Sequence, residues 1–214
     1  MIEIYSHYIV PFSGIVPLLI GLIYFKYLHK RHKLIFYFTL LSQFTDIICH
    51  VLIAYHLHDL FVLHIYTIAE FLLLSVYYIY EFANRPVLRK IIIITMAMFS
   101  IIWLLNPLYQ DLSTFDSYAS SLESIIISLM AIAYFVTENE KVDGTLWKNK
   151  PANWFNTGIL LYFSGSMFLF LFTNKLMKAP LYIINILWGA HATLVLIMYA
   201  LFSVGFITSK REYR

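Results

Sequence analysis

Charge is what this sequence has least of. Only 13% of its 214 residues are Asp, Glu, Lys or Arg, about half the roughly 25% usual in soluble domains. There is one cysteine, Cys49, which excludes a disulfide framework and a four-cysteine zinc site. Seven Gly and six Pro are too few for a fibrous or low-complexity chain. What is abundant is apolar: 61% of residues are hydrophobic and the mean hydropathy is +0.75. That balance excludes an ordinary soluble domain. It also argues against a disordered chain, a coiled coil or a nucleic-acid binder. The remaining class is an all-α, polytopic membrane protein.

A bilayer-spanning helix needs about 20 mostly apolar residues. Seven such runs are predicted, at Tyr8–Leu28, Leu34–Tyr55, Phe61–Ala83, Ile91–Pro107, Ala119–Thr137, Ala152–Asn174 and Leu181–Thr208. The breaks between them carry Pro, Asn and Gly, which favour turns. The longest break, Glu138 to Pro151, is about 14 residues. Residues 1–214 therefore read as a single transmembrane domain. The stretch Met1–Tyr5 has no basic segment and no small-residue cleavage site follows, so no cleaved signal peptide is expected. Tyr5, Tyr8, Tyr55, Tyr109, Trp147 and Trp154 lie near span ends, as an interfacial aromatic belt would.

Orientation follows from the basic residues. Lys26, Lys30, Arg31, Lys33, Arg85, Arg89, Lys90, Lys141, Lys148, Lys150, Lys210, Arg211 and Arg214 fall on one side; only Lys175 and Lys178 fall on the other. The expected topology puts the C-terminus in the cytoplasm and the N-terminus outside. The basic residues thus report topology and not a nucleic-acid partner. Heavy use of Ile, Phe, Tyr and Lys suggests a bacterial cytoplasmic membrane.

Ionisable groups within spans cost several kcal/mol unless they face the bundle interior or water. Lys26, His64 and Glu81 sit near span ends. Asp46 and His50 on the second span, Glu70 on the third, Glu123 on the fifth and His191 on the seventh lie deeper. At 1.5 Å per residue, Asp46, Glu70 and His191 each fall about 14–15 Å from the outer end of their spans, His50 about 8 Å and Glu123 roughly 6 Å. If the helices are neighbours, these groups form one cluster in the outer half, with Glu123 at its rim. Ser42, Asp46 and His50 are spaced i, i+4, i+8 and share a face. Tyr66, Glu70 and Tyr77 share a stripe on the third span, and Trp188 stands about one turn from His191. Ser164 and Ser166 can add hydroxyls. Such a network can simply hold helices together; it can also bind or move something.

Other features read as packing or surface. Ser117, Ser121, Ser124 and Ser128 form a small-residue stripe, and Gly14 and Gly21 lie seven apart; both suit close helix contact. His56, His58, Asp59 and His64 have metal-capable chemistry but also suit a solvated loop. Glu138, Glu140, Lys141 and Asp143 read as a solvated charged loop.

Three uses of the cluster follow. The first is a receptor, sensor or carrier binding a small ligand or ion at Ser42, Asp46, His50, Glu70, Glu123, Trp188 and His191; a sensor of this size needs a cytoplasmic protein partner at the basic loops. A rhodopsin-like pigment shares the helix count and orientation, but Leu181–Thr208 holds no lysine, so no retinal Schiff base is expected. The second is an intramembrane metalloenzyme, with zinc or iron at Asp46, His50, Glu70 and His191, acting on a lipid through a metal-activated water. Ser42, Asp46, His50 and His191 resemble the alkaline ceramidase and progestin-receptor superfamily, whose seven helices carry a zinc site of one Ser, one Asp and three His. That resemblance implies zinc-dependent lipid hydrolysis. The family's His-x-x-x-His on the last helix is absent, because position 195 is Val195, and the site here lies in the outer half, so the activity is not carried over. The third is haem, with His50 and His191 as axial ligands.

Overall fold

In the computed structural model, residues 10–111, 114–140 and 146–212 are described, and every regular element among them is helical. Helices α1 (Val10–Ser13) and α2 (Ile15–Ile23) lead into a 3-10 turn at Phe25–Tyr27. Six longer helices follow: α3 (Lys30–Ala54), α4 (Leu60–Glu81), α5 (Pro86–Leu105), α6 (Ser117–Asn139), α7 (Pro151–Leu176) and α8 (Leu181–Glu212). All six are long and apolar enough to cross a membrane, and they make the chain an integral multi-span membrane protein. Tyr5 and Tyr8 of the expected aromatic belt lie outside the described residues, as do Met1–Tyr5, the start of the first expected span, Lys141, Asp143 and Arg214.

The first expected span differs from the expectation. Within the described residues it is not one helix but two, broken at Gly14. Pro17 has no N–H to give to the Ser13 carbonyl, and its ring crowds that carbonyl. Ser13 Oγ turns back to the Val10 carbonyl at 2.5 Å. The glycines take up the close packing their spacing suggested. A Cβ on Gly14 would stand 2.5 Å from Gln43 Nε2, and one on Gly21 would stand 2.6 Å from the Phe36 ring.

Helix ends follow local chemistry. Pro86 and Pro151 open α5 and α7, where the missing N–H costs nothing. Helix α3 ends in a Schellman motif: His56 takes a φ of 58°, its N–H meets the Ile53 carbonyl, and the Leu57 N–H meets the Leu52 carbonyl, both at 2.9 Å.

The long helices alternate in direction. At the basic end, Arg31 at the start of α3 meets Glu81 at the end of α4 and Glu212 at the end of α8. At the opposite end, the start of α4, the end of α5, the start of α6 and the end of α7 are tied together. Trp103 Nε1 donates to the His64 carbonyl at 2.9 Å, and Asn174 Nδ2 donates to Ser117 Oγ at 2.7 Å. The basic half holds an aromatic core in which Phe155 packs on Phe202 and Phe206, at ring separations of 5.8 and 5.1 Å. The serine stripe is buried on α6, with Ser121 and Ser124 back-bonded to the carbonyls of Ser117 and Ser120. Leu40, Phe44, Ile47, Ile91, Ile94, Met98 and Ile101 point outward. An outer surface so apolar suits lipid and not water.

Candidate functional site

Five of the long helices surround a cavity of about 240 Å³ near the end opposite the basic one. Each helix contributes by its own periodicity. Ser42 and Asp46 come from one face of α3, Tyr66 and Glu70 from one face of α4, and Ser120 and Glu123 from α6. Tyr162 and Phe170 come from α7, and Trp188, His191, Val195 and Tyr199 from α8. These spacings of three, four and seven or eight residues return to the same side of a helix.

The structure gathers Ser42, Asp46, Glu70, Glu123, Trp188 and His191 around this one cavity. Glu123, expected at the rim, is instead enclosed and only 2% exposed. The reason lies in the segment before α6, which folds over the helix start. Asp116 accepts from Asn106 Nδ2 at 2.8 Å and lies 3.3 Å from His64 Nδ1. His64 Nε2 is 3.0 Å from the Thr114 carbonyl, and Asn174 Nδ2 donates to the Phe115 carbonyl at 2.9 Å. Gln110 Nε2 also donates to that carbonyl. Burial pushes the Asp116 carboxyl above its ordinary value; the nearby His64 acts in the other direction but does not cancel it.

His50 does not line the cavity. Its Nδ1 lies 2.8 Å from the Asp46 carbonyl oxygen, and its ring lines a separate apolar cleft of about 330 Å³ with Phe12, Leu40, Phe44 and Ile47. Asp46 lies between the two spaces and borders both. Among the described residues, no three His, Cys, Asp or Glu side chains come together as a group able to hold a metal ion. Asp46, His50, Glu70 and His191 do not make such a group, and His50 and His191 line different spaces. The histidine-rich loop does not gather either. His56 and His58 are exposed, and His64 is buried beside Asp116.

A polar chain joins three of the cavity helices. Tyr199 Oη lies 3.0 Å from Ser42 Oγ. Tyr66 Oη lies 3.3 Å from Ser42 Oγ and 3.1 Å from Glu70 Oε1. With one proton, the Tyr66 hydroxyl serves only one of these as donor at a time. Gln43 Nε2 donates to Asp46 Oδ2 at 3.3 Å. His191 sits in an aromatic box formed by Tyr162, Phe170 and Trp188, with ring separations of 5.3–5.5 Å. Its Nδ1 lies 3.0 Å from Ser166 Oγ. Ser164 is turned outward and bonds the Leu160 carbonyl. Glu123 Oε1 is buried and accepts no hydrogen bond from the described residues.

Sequence reasoning missed Tyr162 and Tyr199, which look like ordinary aromatic residues of an apolar span. Their helical register with Ser166 and His191 was the available signal. It also missed a second polar group at the basic end. There Arg31 Nη2 pairs with Glu212 at 2.9 Å, and Arg31 Nη1 with Glu81 at 3.3 Å. His32 is fully buried, with Glu212 Oε2 3.6 Å from its Nδ1. Tyr77, expected on the Glu70 stripe, turns toward this end and accepts a hydrogen bond from Asn156 Nδ2 at 2.7 Å. No protein-family model, no curated protein and no solved structure matches the chain.

Proposed function

We propose that this integral membrane protein is receptor- or carrier-like and binds a small ligand or ion in the five-helix cavity. The observation that carries the reading is the enclosure of Asp46, Glu70, Glu123 and His191 around one space of about 240 Å³. Ionisable groups at membrane depth are retained where they serve a pathway or a ligand. A purely structural network would be expected to close on itself with every polar atom partnered, and Glu123 Oε1 is not so partnered among the described residues. The cavity is smaller than the roughly 300–1,000 Å³ typical of drug-sized ligands, so the ligand is small.

The topology that goes with this reading has seven spans, the first formed by the broken segment. The N-terminus is outside and the basic end faces the cytoplasm of a bacterial cell. The positive-inside bias of the basic residues supports it. The cavity then lies in the outer half. The chain would pass an outside signal to a cytoplasmic protein at the basic loops, or carry its ligand inward.

The test is a thermal-shift screen of small ligands on the protein in nanodiscs, beside a Val195→Phe variant that fills the cavity. Ligands that raise the midpoint of the natural protein and not of the variant support the reading. Equal shifts in both, or none in either, would leave the network a structural one.

A further inference from the structure

We infer that the cavity takes a small organic ammonium ion, its charge held between Glu70 and Glu123 and its carbon skeleton against the surrounding rings. The inference rests on the ligand-binding reading above and names the ligand's class.

The charge pattern comes first. Three carboxyl side chains, Asp46, Glu70 and Glu123, line the cavity, and among the described residues no lysine or arginine does. The nearest thing to a base there is the His191 imidazole. An anion brought into this space would meet three carboxyl groups and no lysine or arginine to pair with, which is a ground for rejection. A buried carboxylate, by contrast, needs a cation or a proton, because an uncompensated buried charge is costly.

The carboxyl groups differ in how they are served. Glu70 Oε1 is met by Tyr66 Oη, and Asp46 Oδ2 by Gln43 Nε2. Glu123 is 2% exposed, and its Oε1 accepts no hydrogen bond from the described residues. That oxygen is an acceptor with nothing yet to accept. An ammonium group offers up to three N–H donors on a compact charge, and charge-assisted hydrogen bonds to carboxylate are the strong kind.

The walls agree with the floor. Tyr66, Tyr162, Tyr199, Trp188, Phe115 and Phe170 surround the acids. Aromatic faces attract cations through the ring quadrupole, more strongly when the cation has shed water. They also pack against a hydrocarbon skeleton, which they could not do for a bare ion. A metal ion fits less well. It needs several ligand atoms converging on one point, and no three His, Cys, Asp or Glu side chains among the described residues do so. The size of the space limits the ligand to a compact amine.

The experiment uses the full chain in lipid nanodiscs and measures thermal shift and calorimetric affinity. The probes are benzylamine and tetramethylammonium, with benzyl alcohol and benzoate as neutral and anionic counterparts, and zinc chloride. The expected result is a dose-dependent rise in midpoint with the two cations and little with the others. Glu123→Gln should weaken cation binding roughly tenfold or more. It should leave the unliganded midpoint equal or higher, since glutamine keeps the shape and buries no ionisable group. If that variant does not fold, Trp188→Leu, which removes an aromatic wall and no charge, should weaken tetramethylammonium binding severalfold; unchanged tetramethylammonium affinity would overturn the inference. Binding of the alcohol or of benzoate at least as tight as that of the cations would overturn the ammonium inference while keeping the ligand-binding reading. Preferential binding of zinc would do the same. Binding of no probe at all would overturn the ammonium inference and leave the ligand-binding reading to the screen beside Val195→Phe.

Discussion

Arg31 Nη1 lies 3.3 Å from Glu81 Oε2, and the Glu81 side chain is only 2% exposed. The same guanidinium reaches Glu212 at 2.9 Å with its other nitrogen. One arginine at the start of α3 thus gathers the ends of α4 and α8. Its planar fork suits two carboxylates at once, which a lysine could not match. This lock closes the basic end of the bundle while the acidic cavity sits near the opposite one.

Arg31→Ala is therefore expected to destabilise the bundle by roughly 1–3 kcal/mol, since it withdraws the charge that compensates a buried carboxylate. Arg85→Ala is the control. Arg85 pairs with Glu140, but both side chains are about half exposed, and such pairs contribute less than about 1 kcal/mol. Reversible unfolding in mixed micelles compares the two. Equal losses would mean that the Arg31 contacts are as weakly coupled to the fold as an ordinary surface pair.

Asp116 gives a pH dependence with a definite sign. Its carboxyl stands outside the spanning helices, and burial raises its affinity for a proton in the folded state. The folded chain then holds more proton at this site than the unfolded chain does. Stability from this group is fully present below the ordinary carboxyl value near 3.8 and falls as pH rises through the raised folded value. Asp116→Asn keeps the shape and an acceptor for Asn106 but cannot titrate. The stability of the natural protein relative to this variant should decline as pH rises above about 4. A relative stability that climbs over the same range would show that His64 stabilises the carboxylate more than burial penalises it.

Much of this arrangement could be read from the sequence because apolar run length and helical period are local properties. The six long helices fall close to the expected runs for that reason. Asp46, Glu70 and His191 were expected at one depth, and antiparallel helices do bring them to one cavity. His50 was misplaced because a shared helix face does not fix where a ring turns: its Nδ1 lies 2.8 Å from the Asp46 carbonyl oxygen and its ring lines the cleft behind Asp46. The Arg31–Glu212 pair joins residues 181 positions apart, and no local pattern announces such a partner. Glu123 looked shallow because the fold of residues 114–116 over its helix depends on Asn106, Asn174 and His64, each from a different helix end.

Close packing of α7 on α8 separates two glycines of equal apparent tightness. A Cβ on Gly205 would stand 2.5 Å from Phe155 Cε1, and one on Gly165 would stand 2.6 Å from Leu194 Cδ1. The neighbours differ in their freedom to move. Phe155 is wholly buried and held by the rings of Phe202, Phe206 and His32. The atom of Leu194 is the far end of a half-buried, flexible side chain that can turn toward lipid. Both changes to alanine gain about 1 kcal/mol of helix propensity, and overpacking a rigid core costs about 1–3 kcal/mol. Gly205→Ala is thus expected to lower stability by up to about 2 kcal/mol, and Gly165→Ala to leave it unchanged or raise it by up to about 1 kcal/mol. Unfolding midpoints of the two variants, measured side by side in the same detergent, decide this. A loss at Gly165 as large as that at Gly205 would mean that Leu194 is as tightly held as Phe155.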